Sequence, residues 1–300
     1  MDKISFKVFW GYAIIILMVV ASLIFKDKEI ILPEMAALAI GCLIYQNPVW
    51  LSKPLHIFLL PSITAILGFL INKLDISLTE KLILVLPLML VVLRLFKSHL
   101  APALATGLLP IITNCSSFAF ILSILVLSFL LSISLKFIDT SKNENLQPRL
   151  QQPKDSVIYV VFISIWIIIC SQIGWMFMAA IPPVIVVGYE SVHKESYHFS
   201  MLRKQVICLF LAAFVGTQTF YFVDNLVIVA LIDIVAVTFI LKLFKFKLPP
   251  AYAMAILPMA LHKLSYNYFY WQVLIMSISV FGIVYIYKNA NEYITNKVRP

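Results

Sequence analysis

The chain has 300 residues, 62% of them apolar, 13% aromatic and only 12% charged. Soluble globular chains run at about 45–50% apolar and about 25% charged, so this composition excludes a disordered protein, a nucleic-acid binder and an ordinary cytosolic enzyme. The net charge of +9 (23 Lys and Arg against 14 Asp and Glu) reads, in so apolar a chain, as basic residues held on one face of a membrane.

A helix needs about 20 apolar residues to cross the hydrocarbon. Read that way, the first half offers Val8–Phe25, Ile30–Gln46, Leu55–Asn72, Leu82–Phe96, Leu100–Cys115 and Ser116–Ile138. The first run follows a short basic segment but lacks a small-residue cleavage site, so it reads as a retained helix rather than a signal peptide. A polar stretch, DTSKNENLQPRLQQPKDS, then runs from Asp139 to Ser156. The scheme repeats near 157–179, 180–192, 204–222, 225–244, 248–262 and 268–287. The expected fold is an all-α polytopic bundle of about twelve segments. Its parts are a six-span unit over 1–138, a cytoplasmic linker over 139–156 and a second six-span unit over 157–300.

With the N-terminus inside and twelve crossings, the Lys and Arg residues divide 18 inside against 5 outside (Lys26, Lys28, Lys73, Lys81 and Lys263). The positive-inside rule for short loops favours this arrangement, with both termini cytoplasmic in a bacterial cell membrane. Trp10, Trp50, Trp175 and Trp271 lie near span ends, where membrane-interface anchors belong.

Shifted by 148 residues, Arg94–Pro110 (RLFKSHLAPALATGLLP) lies over Lys242–Pro258 (KLFKFKLPPAYAMAILP), with nine of 17 positions identical. The same shift lays Gly68 over Gly216. An even number of spans per unit gives two parallel repeats, an arrangement known among secondary transporters, with substrate bound between the halves. A duplicated bundle that only scaffolds other proteins satisfies the same pattern.

Proline inside a membrane helix removes a backbone hydrogen bond, and Pro102 with Pro110 brackets one short segment as Pro250 with Pro258 brackets its mate. Short, interrupted segments in matching positions point to a substrate site, for which Pro102, Ala103, Thr106, Pro250, Ala251, Tyr252 and Asp233 are the candidates. Two acidic residues fall well inside apolar runs, Glu34 and Asp233. A buried carboxylate needs a partner, a cavity or a proton, so both are candidates for proton coupling. Asp233 should lie near mid-membrane. Glu34, after Pro33 and nearer the outer end, fits an interfacial or helix-start role better than proton coupling. Lys97 and His99, and Lys245 and Lys247, precede the two proline-started helices. They serve either as an anion-attracting mouth or as topology signals. His56, His193, His198 and His262 lie at span ends.

The four cysteines show no paired spacing, so neither a disulfide framework nor a metal site is expected. No HExxH, GxSxG or Walker A motif occurs, so neither an enzyme nor a cofactor is expected.

The stretches His99–Pro110 (HLAPALATGLLP) and Lys247–Pro258 (KLPPAYAMAILP) resemble the His-Pro-Pro-Ala signature of the HPP family of integral membrane proteins, as two divergent tandem copies. The first keeps His99 and Pro102 but not both prolines; the second keeps Pro249 and Pro250 but has Lys247 and Leu248 where the histidine belongs. Some HPP members are implicated in nitrite transport. A more distant likeness is to membrane domains of aromatic-acid exporters. Both imply a permease for a small organic or inorganic anion. The expected partners are therefore the lipid bilayer and a small anionic solute, with a homo-oligomer or larger membrane complex open. The competing function is a non-transporting scaffold or accessory subunit in cell-envelope assembly.

Overall fold

The structure, a computed structural model, describes residues 3–136, 152–261 and 268–298. Among these residues it is entirely helical, without a strand. The helices of the first half are α1 (Lys3–Ile24), α2 (Pro33–Ala39), α3 (Pro48–Leu51), α4 (His56–Asn72), α5 (Leu78–Leu95), α6 (Pro102–Ile112) and α7 (Phe118–Lys136). The second half has α8 (Pro153–Gln172), α9 (Pro182–Val192), α10 (Phe199–Phe222), α11 (Leu226–Leu243), α12 (Pro250–Ala260) and α13 (Phe269–Val298). Six of these, α1, α7, α8, α10, α11 and α13, are long and apolar enough to cross a membrane.

Every apolar run read from the sequence carries a helix, but four of them are short. α6, α9 and α12 have 11 residues each, and α2 has seven before it loosens into a π-helical turn over Ile40–Ile44. At 1.5 Å per residue, 11 residues cover about 16 Å, roughly half the hydrocarbon thickness. Ile31 and Leu32 approach α2 in extended conformation, and Ile181 does so before α9.

Hydrogen bonds place the helix ends. At one end of the bundle the Glu29 carboxylate accepts from the backbone N–H groups of Ser116 (3.1 Å) and Ser117 (2.8 Å), and Asn72 Nδ2 donates to the Cys115 carbonyl at 2.9 Å. At the other, Lys53 Nζ donates to the carbonyls of Phe96 (3.3 Å) and Lys97 (3.1 Å). The two sets are separated by the length of α4. The chain from Phe96 to Cys115, α6 included, therefore runs from one end of the bundle to the other.

The offset of 148 reappears in the element bounds. Added to Leu78–Leu95 and Pro102–Ile112, it gives Leu226–Leu243 and Pro250–Ala260, which are α11 and α12. The 3₁₀ turn Lys28–Ile30 likewise maps onto Met176–Met178. Lys97 and Lys245 both adopt left-handed backbone, with φ of 48° and 47°. α4 crosses α6 closely enough that a Cβ on Gly68 would collide with the Gly107 carbonyl. α10 crosses α12 so that Gly216 stands in the same relation to Ala255.

One boundary and one placement differ from the sequence reading. Of the expected linker, residues 139–151 lie outside the described residues, and Pro153–Ser156 already belong to α8. Proline at the first helical position and an acidic residue in the first turn favour that start, and Asp155 also accepts a 2.7 Å bond from Tyr287 Oη. Trp50, expected as an interface anchor, is instead buried, its ring lying over Gly41 where any larger residue would displace it.

Candidate functional site

α2, α6, α9 and α12 all begin with proline inside the bundle: Pro33, Pro102, Pro182 and Pro250. A helix that starts away from water must satisfy its first N–H groups internally. Proline removes one of them, and turn bonds take up others: Met35 N–H to Leu32 O at 2.9 Å, Ala103 to Leu100 at 3.1 Å, Val184 to Ile181 at 3.0 Å and Ala251 to Leu248 at 3.0 Å. The four starts meet around a void of about 10 Å³, lined by Pro33, Glu34 and Ala37, by Pro102, Ala105 and Leu109, by Pro182, Pro183 and Val186, and by Pro250, Ala253 and Leu257. That is room for about one water.

Glu34 is the only charged residue on this lining. It sits in the first turn of α2, is 2% exposed, and its Oε1 has no hydrogen-bond partner. Each helix start bears a partial positive charge, so the carboxylate lies where several such charges meet.

The predicted substrate residues divide. Pro102 and Pro250 line the void. Thr106 is buried against α4, its hydroxyl 2.6 Å from that of Thr64. Tyr252 Oη lies 2.9 Å from Thr238 Oγ1, which is 3.1 Å from Tyr12 Oη, linking α12, α11 and α1. Ala103 and Ala251 are buried off the lining. Asp233, 1% exposed, accepts a 2.6 Å bond from Thr219 Oγ1 between α11 and α10, and its Oδ2 has no partner. It does not border the void. Pro33, Pro182 and Pro183 were missed as site residues. The signal that could have found them is a proline opening the second and eighth apolar runs, as one opens the fifth and eleventh.

Of the anion-attracting set, Lys97 and His99 border a separate cleft of about 560 Å³ between α5 and α8, together with Arg94. Lys247 Nζ lies 6.0 Å from the centre of the Tyr45 ring. Partial burial, and next the charge of Lys53, pushes the His99 imidazole below its ordinary range. Burial does the same to His193. His193 Nδ1 lies 2.8 Å from the Tyr189 carbonyl, which can only accept, so Nδ1 carries the proton and Nε2 accepts from Ser156 Oγ at 2.9 Å. All four cysteines are buried and free, and among the described residues no three His, Cys, Asp or Glu side chains gather to hold a metal.

Compared with protein-family models, curated proteins and solved structures, the chain finds no match in any of the three.

Proposed function

We propose that this chain is a multi-pass membrane transporter for a small anion, built from two copies of a six-segment unit related by 148 residues. In this reading the short helices complete their crossings with extended chain, giving twelve spans, and the end rich in basic residues faces the cytoplasm with both termini.

The observation that carries the reading is the meeting of four helix starts around the unpaired Glu34 oxygen. Helix starts attract negative charge. An ionised Glu34 uses that attraction itself and excludes a second anion. A protonated Glu34 leaves the helix starts free to hold a substrate anion, so one proton and one anion enter together. The void of about 10 Å³ then corresponds to a closed state, and passage requires the halves to part where α2 meets α12 and α6 meets α9. Asp233, one helix away and half-satisfied by Thr219, is a second station for the proton. The HPP likeness of His99–Pro110 and Lys247–Pro258 points to the same class of substrate.

The test is uptake by purified protein in liposomes, with nitrite, nitrate, formate and acetate as substrates. Saturable uptake driven by an inward proton gradient is expected. No saturable uptake of any of them would favour the scaffold reading.

A further inference from the structure

We propose that the cleft between α5 and α8 binds an anionic phospholipid, its phosphate held by Arg94 and Lys97 and its chains lying along the two helices. The cleft, of about 560 Å³, has one wall from α5 and one from α8, both apolar, and Arg94, Lys97 and His99 close it at a single end. The walls lie on the outside of the bundle: Val91 is 53% exposed and Val161 49%. In the proposed membrane arrangement, on which this inference rests, side chains in that position face lipid rather than water.

Charge and apolarity therefore select together. A dissolved anion gains from the cations but nothing from the valines, and an uncharged lipid gains only from the walls. A phospholipid with a net negative headgroup uses both, as basic pockets between membrane helices do. Lys97 itself stands in the left-handed turn that ends α5, with φ of 48°. The cleft also joins the first half of the chain to the second. The corresponding seam, α1 against α11, is bridged by the hydrogen bond between Tyr12 and Thr238, and α5 and α8 are themselves joined by Thr79 Oγ1 donating to Ser171 Oγ at 2.9 Å, at the far end from Arg94.

Native mass spectrometry of the full chain, titrated with phosphatidylglycerol or phosphatidylcholine, tests this. Phosphatidylglycerol should be retained at least tenfold more strongly. Arg94→Gln with Lys97→Asn should erase that preference, and Val161→Trp, a filling of the exposed wall that leaves the core untouched, should cut retention of the lipid itself. Lys26→Asn with Lys73→Gln, at the opposite end, should change neither. The proposal is overturned if the preference survives both cleft variants, or if the opposite-end pair lowers it equally. It is also overturned if glycerol phosphate alone displaces the lipid at equal concentration, since the walls would then contribute nothing. None of these readouts involves transport.

Discussion

Gly68 lies against the carbonyl group of Gly107, so close that the hydrogen on its α-carbon takes the space a methyl group would need. This contact sets the spacing of α4 and α6, and the Gly216–Ala255 contact sets that of α10 and α12. Small residues at such crossings let membrane helices approach closely enough to gain van der Waals contact. Gly68→Leu or Gly216→Leu should each lower stability by about 1–3 kcal/mol or more, as overpacking does, read as a drop in unfolding temperature in detergent. Gly282→Ala, where a Cβ meets open space, should leave it unchanged or raise it slightly.

Glu34→Gln keeps the shape of the central void and removes its titrating group. Uptake should lose its dependence on the proton gradient while the protein keeps its unfolding temperature. A pH profile of uptake identical to that of the unaltered chain would remove Glu34 from the coupling.

Asp233 and Thr219 make a different kind of claim. Thr219→Val leaves both carboxylate oxygens unpaired in the bundle, and an unsatisfied buried polar group costs about 1–3 kcal/mol. Asp233→Asn keeps an acceptor for the Thr219 hydroxyl and should cost less. Unfolding temperatures that rank Thr219→Val below Asp233→Asn support this pairing; the reverse order contradicts it.

Glu29 acts at a distance in sequence, capping the start of α7 through Ser116 and Ser117. Removing a helix cap costs about 0.5–2 kcal/mol. Glu29→Ala should therefore loosen the start of α7, seen as faster hydrogen exchange at Ser116 and Ser117. Glu29→Gln, which retains an acceptor, should lie between the two.

His99 and His193, at the basic end, bear on stability at mildly acid pH. His99 and His193 are pushed below the ordinary value of 6.5 by burial, so the unfolded chain takes up protons first as pH falls. Stability is complete above about pH 6.5 and declines below it, because burial disfavours the charged imidazolium in the folded chain. Unfolding temperature measured from pH 8 to 5 should fall, and His193→Gln should flatten the fall.

Much of the architecture was legible in the sequence because it rests on composition along the chain. Twelve apolar runs, the polar interval between halves and the matched prolines need no knowledge of contacts. The length of the helices did not follow, since a run of apolar residues is the same whether coiled or extended. Glu34 shows the consequence. From the sequence it falls near the outer end of its segment, but Ile31 and Leu32 ahead of it are extended. Each extended residue advances about 3.3 Å against 1.5 Å in a helix, so the two set the carboxylate about 4 Å deeper than a helical path would.

Orientation about the helix axis was equally out of reach. Pro102 and Ala103 are neighbours in α6, yet only Pro102 borders the void. A helix that is apolar on every side has no polar face to announce which way it turns. The sequence by itself determined that the chain is a bundle of apolar helices with a repeated, proline-started short segment and its basic residues gathered between particular runs. Only the tertiary structure decided that four such segments meet start to start, that Glu34 rather than Asp233 stands among them, and that Arg94 and Lys97 close a cleft with α8. Those facts depend on which helix surfaces touch, and in an apolar helix the surfaces are distinguished by the shapes of Gly, Ala and Pro against their neighbours.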